Sequence, residues 1–130
     1  MPIRIVRLGE ARAPDEGLRI GTVRRPPRGV ARGVLAERDW YDIWFPNLAP
    51  SAGLVAMART AETARQWNTF VRRYRAEMAL AENSRTLDVL AALSRQTNFS
   101  VGCYCADEAR CHRSVLRTLL QEHGAEVFES

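Results

Sequence analysis

Residues 99–123, FSVGCYCADEARCHRSVLRTLLQEH, contain a strand pattern followed by a helix pattern. The apolar run over 98–104 predicts a buried strand. Apolar residues then recur with helical spacing, which predicts a helix that starts at about 108 or 113 and ends before Gly124. A last strand is predicted over 126–128. Strand, helix and strand at this spacing indicate a C-terminal βαβ unit with a right-handed crossover.

The preceding residues contain further strand and helix patterns of the same kind. Strands are predicted over 3–8, 16–23 and 40–45, and helices over 51–57, 60–79 and 86–95. Ser51 is the expected N-cap of the first of these helices. A chain of 130 residues is the size of one domain. We therefore expect a single domain over 1–130 with a compact three-layer α/β fold, in which helices flank a mainly parallel sheet.

All 19 basic residues are arginine, and eight of them lie in the first 32 residues beside three acids. Guanidinium groups bind phosphate and carboxylate through two parallel hydrogen bonds. The N-terminal arginines therefore indicate an anionic partner, either a small molecule or a nucleic acid. The alternative is a solvated basic face that keeps the protein soluble.

The cysteine count and the hydropathy indicate in which cellular compartment the protein is expected. Three cysteines are an odd number, so thiols, metal ligands or catalytic groups are favoured over a set of disulfides. No stretch has the roughly 18 consecutive apolar residues of a membrane span, and the N-terminus lacks the apolar region of a secretory signal. We expect a cytoplasmic protein without a membrane partner.

Every cysteine and one of the two histidines lie within 103–112, and Arg113 follows directly. We call residues 103–113 the cysteine segment. It comes where the strand over 98–104 gives way to a helix, and ligands in open α/β sheets bind beyond the carboxyl ends of the strands. A thiol at a helix N-terminus next to Arg113 should have a lowered pKa. The acids Asp107 and Glu108 are expected to favour the helix N-terminus electrostatically.

Three chemistries are compatible with the cysteine segment. In the first, Arg113 and other arginines hold phosphate while Cys111 or His112 acts as nucleophile or acid/base. In the second, Cys103, Cys105, Cys111 and His112 ligate zinc, although their spacing is not that of the common zinc fingers. In the third, Cys105 and Cys111 form a redox pair. Cys103 also alternates with Val101 on the predicted strand, which favours a place in the core.

Four groups of residues share their pattern with a known family. These are 16–20 with 25–30, 48–51 with Leu54, the set Trp67, Phe70, Tyr74 and Glu77, and Cys103 or Cys105 with 111–113. Together they resemble the "DGxRI…R…PRG", "PS..L", "W..F..Y..E" and "C…CHR" segments of the DUF488 (YeaO-like) family of small bacterial proteins. The resemblance covers nearly the whole chain. Pro26 stands where the better-known branch has Trp.

The resemblance implies a compact three-layer α/β fold and assigns no activity. Because some members lack the CHR ending, the resemblance favours Arg19, Arg25 and Arg28 as the residues of a shared site. These arginines should face the cysteine segment. We therefore expect a cleft between the arginine-rich loop (16–30) and 105–113 that takes a phosphorylated ligand, a nucleotide or a nucleic acid. The expected ligand-binding residues are Arg19, Arg25, Arg28, Arg113 and Cys105, and the expected catalytic residues are Cys111 and His112. A non-enzymatic nucleic-acid-binding module is the alternative, and zinc is the one cofactor considered.

Overall fold

The structure is a computed structural model that describes residues 2–105 and 111–128. Within these residues the chain forms four strands, β1 (Ile3–Arg7), β2 (Leu18–Gly21), β3 (Ile43–Trp44) and β4 (Phe99–Cys103), and four α-helices, α1 (Ala52–Thr60), α2 (Ala64–Met78), α3 (Ala81–Leu93) and α4 (His112–Glu122). Short 3-10 helices lie at Arg32–Val34 and Pro46–Leu48. Each helix in these residues is too short or too polar to span a bilayer.

The four strands form one parallel sheet in the order β1-β4-β2-β3, which confirms the predicted α/β fold. In the register of this sheet, Arg7 pairs with Cys103 and Gly21 pairs with Gly102. The carboxyl ends of β1, β4 and β2 therefore meet at one edge, with β4 in the middle. We call this the C-terminal edge of the sheet.

The helices cover one face of the sheet with apolar side chains. Thr63 and Gln66 form a capping box at the start of α2, which satisfies backbone donors that a helix start leaves free. Phe70, Tyr74 and Met78 on α2 are almost fully enclosed in the main core, and Tyr74 donates a hydrogen bond to the Leu48 carbonyl at 2.6 Å. The predicted apolar stripe of this helix is thus confirmed.

The opposite face of the sheet carries a row of polar residues that is buried around Arg19 and Ser100. Arg4 and Arg19 both lie in register with Ser100 of β4, on either side of it. The Arg19 side chain is only 1% exposed, and its Nε lies 2.7 Å from Glu16. The Ser100 hydroxyl donates to the same carboxylate at 2.6 Å. This enclosed ion pair fixes the segment before β2 onto the centre of the sheet.

Several predicted boundaries differ from the structure. Helix α3 begins at Ala81, five residues before the predicted start, because Glu82, Asn83 and Ser84 make its first turn polar and an apolar pattern does not reveal such a turn. The strand predicted over 126–128 is reduced to one bridge between Ile3 and Val127. Ser51 occupies the N-cap position of α1 without a side-chain cap, and its N–H donates to Glu77 instead.

The strands over 16–23 and 40–45 are also shorter than predicted. Strand β3 is only Ile43–Trp44. Trp40 and Tyr41, predicted within that strand, instead pack in a second cluster with the buried thiols Cys103 and Cys111. This cluster lies around the C-terminal edge of the sheet and encloses part of the cysteine segment.

Candidate functional site

The three cysteines meet at the C-terminal edge, between the end of β4 and the start of α4. Cys103 and Cys111 are buried, whereas Cys105 is exposed. The Sγ atoms of Cys103 and Cys111 lie 2.6 Å apart. The acids Asp107 and Glu108 lie outside the described residues. The structure therefore brings together the cysteines of the predicted site and separates them into two enclosed thiols and one accessible thiol.

The thiol environments predict unequal acidities. Hydrogen bonds from Cys103 and Cys111 lower the pKa of Cys105 well below its ordinary value of 9.0, and the charge of Arg113 acts in the same direction. The bonds that Cys103 makes to the other two thiols, together with burial, raise its pKa. The Cys105 thiol is thus the most acidic of the three, and its contacts with the other two cysteines favour its thiolate form.

For Cys111 the structure differs from the expected lowered pKa. Its bond with Cys103 acts to lower the pKa, but the bond to Cys105 and burial outweigh it, so that the pKa of Cys111 is raised. Cys111 is also only 2% exposed. The Cys111 thiol at the start of α4, which the sequence predicts to be reactive, is therefore enclosed.

His112, the first residue of α4, is held by its surroundings on both sides. Its Nε2 lies 2.8 Å from the Thr22 carbonyl oxygen and its Nδ1 lies 3.7 Å from the Cys111 Sγ. Its ring meets that of Tyr74 edge-on, with centroids 5.7 Å apart. Burial lowers the pKa of His112 to about 4, against an opposing effect of the Thr22 bond. The imidazole is therefore neutral near pH 7.

The arginine-rich loop lies against the cysteine segment. Besides the bond between Thr22 and His112, the Tyr104 hydroxyl donates to the Arg25 carbonyl oxygen at 2.8 Å. The side chains of Arg25 and Arg28 are exposed. The structure thus places two accessible guanidinium groups on a loop that is fixed to the C-terminal edge.

Two further arginines approach the edge from the side of β1. Arg113 donates to the Cys105 carbonyl oxygen at 2.6 Å, and Arg7 donates to the neighbouring Tyr104 carbonyl oxygen at 3.2 Å. The Nε of Arg113 is buried and has no hydrogen-bond partner among the described residues. Arg7 was not among the predicted site residues. Its position as the last residue of a strand at the C-terminal edge is the sequence feature that points to it.

A cavity of about 390 Å³ opens beside β1, and six charged side chains contribute to its lining. These are Arg4, Arg7, Glu10, Glu16, Arg19 and Arg113. Arg19 thus shares a cavity with Arg113, but its own donors bind Glu16 and the carbonyl oxygens of Glu10 and Asp39. Among the predicted ligand-binding arginines in the described residues, Arg19 thus has most of its donors already engaged by internal contacts.

The comparison with protein families matches residues 3–124 to the model DUF488-N3a, described as the active DUF488-N3 subclade. The chain belongs to the DUF488 family. No curated protein and no solved structure matches it. The family assignment predicted from the sequence is confirmed, and the match includes the whole cysteine segment.

The buried part of the site in this DUF488 chain also has the donors of a metal site. The Sγ atoms of Cys103 and Cys111 and a ring nitrogen of His112 lie within 4.8 Å of one another. The Nε2 contact with Thr22 leaves Nδ1 facing Cys111. Metal-bound histidines commonly donate their other N–H to a carbonyl in this way. Two thiols and an imidazole suit a thiophilic ion such as zinc.

Proposed function

We propose that the protein binds a phosphorylated ligand, a nucleotide or a nucleic-acid end, at the C-terminal edge of the sheet and that the Cys105 thiolate attacks the bound ligand. The single observation that carries this proposal is the environment of Cys105. Its thiol is exposed, accepts hydrogen bonds from two enclosed thiols and lies next to Arg113. An accessible thiolate in positive surroundings is the arrangement of a reactive cysteine.

The arginines around the edge supply the binding part of the proposal. Arg25 and Arg28 are exposed on the loop, while Arg7 and Arg113 donate hydrogen bonds to the carbonyl oxygens of Tyr104 and Cys105. Guanidinium groups bind phosphate oxygens and stabilise negative charge that develops on them during reaction. The Nε of Arg113 is buried and lacks a hydrogen-bond partner among the described residues, so an acceptor supplied there by a ligand would be favourable.

The buried residues of the site take supporting roles. Cys111 and His112 are enclosed or tied to the backbone, so they position and stabilise the Cys105 thiolate instead of contacting the ligand. Attack by the Cys105 Sγ forms a bond to the electrophilic atom of the ligand, and the leaving group departs with the bonding electrons. The description of the family model as an active subclade agrees with a working site in this chain.

Titration calorimetry with nucleoside monophosphates and 5′-phosphorylated oligonucleotides tests the binding part. We expect Arg28→Ala and Arg25→Ala to weaken binding by about tenfold or more, since hydrogen bonds between charged groups contribute about 1.5–3 kcal/mol. Arg65→Ala is the matched control, because Arg65 is exposed on α2. Variants at Arg28 and Arg25 that fold and bind every phosphorylated probe like the parent contradict the proposal. Binding that is independent of Cys105 and falls steeply with salt indicates a non-enzymatic nucleic-acid module instead.

The buried donor group favours a second candidate function, the binding of zinc. Cys103, Cys111 and His112 offer three donor atoms within 4.8 Å, and Cys105 would complete a tetrahedral set. Elemental mass spectrometry on untagged protein distinguishes the two candidates. One zinc per chain, with thiols that react only after chelation, supports the metal site. Metal-free protein with one fast thiol supports the thiolate.

A further inference from the structure

Cys103 and Cys111 are placed to form a disulfide bond. Their Sγ atoms are 2.6 Å apart, close to the length of about 2.05 Å that the bond requires. Both sulfurs are buried at 2% exposure, so an external oxidant does not reach them directly. Cys105 is exposed and hydrogen-bonded to both. The enclosed pair is therefore connected to solvent through the thiol of Cys105.

We propose that Cys105 transfers oxidation from an external disulfide to the enclosed Cys103–Cys111 pair, so that the protein is a thiol–disulfide exchanger. The inference rests on the accessible Cys105 of the proposed function and adds a substrate class to the same thiol, namely small organic disulfides. It also differs from the pair of Cys105 and Cys111 considered from the sequence. The structure assigns the final disulfide to the two buried cysteines.

The exchange proceeds in three steps that balance. First, the Cys105 thiolate attacks one sulfur of the external disulfide, and the first external thiolate leaves. Second, Cys111 gives its proton to that thiolate and attacks Cys105, which releases the second external thiolate. Third, Cys103 gives its proton to the second thiolate and attacks Cys111, which releases Cys105 as a thiolate. The protein pair loses two electrons, and the external disulfide is reduced to two thiols.

The geometry of the cluster favours the last step. The Sγ atoms of Cys103 and Cys111 lie 2.6 Å apart, so Cys103 is the thiol placed to attack Cys111 and to release Cys105. Cys105 is then free to attack a second external disulfide.

The test treats chelator-washed, fully reduced protein with oxidised glutathione and follows it by alkylation and peptide mass mapping. We expect one Cys103–Cys111 disulfide, an alkylatable Cys105 and two molecules of reduced glutathione released per chain. A stable glutathione adduct on Cys105 with no internal disulfide overturns the proposal. Because this readout uses the unmodified chain, it does not depend on how any variant folds.

Two variants define the pathway. Cys105→Ala should form the internal disulfide more than about tenfold more slowly, since its buried partners lack an accessible attacking thiol. Cys103→Ala should stop at a disulfide that includes Cys105. An unchanged rate in Cys105→Ala overturns the role of Cys105 in exchange. Nucleotide binding by the reduced protein is measured separately, so that failure of the exchange is distinguished from failure of the proposed function.

Discussion

The Nε2 atom of His112 lies 2.8 Å from the carbonyl oxygen of Thr22, and this contact joins the first residue of α4 to the segment that leaves β2. Because a carbonyl oxygen only accepts hydrogen bonds, Nε2 carries the ring proton and Nδ1 has a free lone pair. That lone pair faces the Cys111 Sγ at 3.7 Å. The contact thus fixes both the position and the tautomer of the imidazole beside the thiols.

The neutral imidazole makes the fold sensitive to acid. Its pKa of about 4 lies below the ordinary value of 6.5, so the unfolded chain binds a proton first as the pH falls. The stability contributed by His112 is therefore full above pH 6.5 and is lost between pH 6.5 and 4, by about 2 kcal/mol at pH 5. Urea unfolding at pH 7 and pH 5 should show this loss in the parent and not in His112→Gln. The control variant His123→Gln should lose as much stability between pH 7 and pH 5 as the parent. Equal losses in His112→Gln and the parent would contradict this prediction.

The enclosed ion pair between Glu16 and Arg19 should be essential to stability. Removing one partner of a buried pair leaves an uncompensated charge, which typically destabilises a protein by about 3–5 kcal/mol. Glu16→Gln should therefore lower the free energy of unfolding by that amount in chemical denaturation. Glu122→Gln is the matched control, because Glu122 pairs with Arg75 on the surface at 2.7 Å and should change stability by at most about 1 kcal/mol. Similar effects of the two substitutions would contradict the structural role of the buried pair.

Gly102 should tolerate no side chain. A Cβ atom there would lie 2.6 Å from the Val6 carbonyl oxygen and 2.8 Å from the Val6 Cγ2, within the centre of the sheet. Gly102→Ala should therefore destabilise the protein by about 1–3 kcal/mol in thermal or urea unfolding. Gly53, on α1, has open space at the same position, so Gly53→Ala should stabilise by about 0.5–1 kcal/mol. A neutral Gly102→Ala would be inconsistent with the packing of β1 on β4.

Removing one enclosed donor should raise the pKa of Cys105. The Cys111 thiol donates to Cys105, and alanine has no donor to replace it. The midpoint of the pH profile for iodoacetamide alkylation of Cys105 should therefore move to higher pH in Cys111→Ala. Ser114→Ala, which removes a hydroxyl that donates to the Cys111 carbonyl oxygen, should leave the midpoint in place. The same midpoint in Cys111→Ala and the parent would show that the enclosed thiol does not lower the pKa of Cys105.

Much of the fold was predictable because the deciding residues are apolar and regularly spaced. Strand β4 and helix α2 were both identified from runs whose period reflects one buried face. The buried row around Glu16 and Arg19 could not be identified in this way. Charged residues in a strand pattern are usually solvated, and only the tertiary fold shows that Ser100 and the loops enclose them.

The site was predictable in position and less so in roles. The clustering of Cys105, Cys111 and His112 in the sequence predicted that the candidate site lies at the C-terminal edge. Which thiol is accessible depends on the packing of Trp40 and Tyr41 around Cys111, contacts that are distant in sequence. The sequence predicts Cys105 as a ligand-binding residue and Cys111 as the nucleophile. In the function proposed above, Cys105 is the nucleophile and Cys111 supports its thiolate.

The most direct test of the central claim is the rate of Cys105 alkylation against pH, measured by peptide mass mapping on chelator-treated protein. The claim predicts that Cys105 alone reacts fast and that its rate is already at its plateau near pH 7, because its pKa lies well below 9.0. A rate at Cys105 that rises only as the pH approaches 9, or faster alkylation of Cys111 than of Cys105, would contradict it.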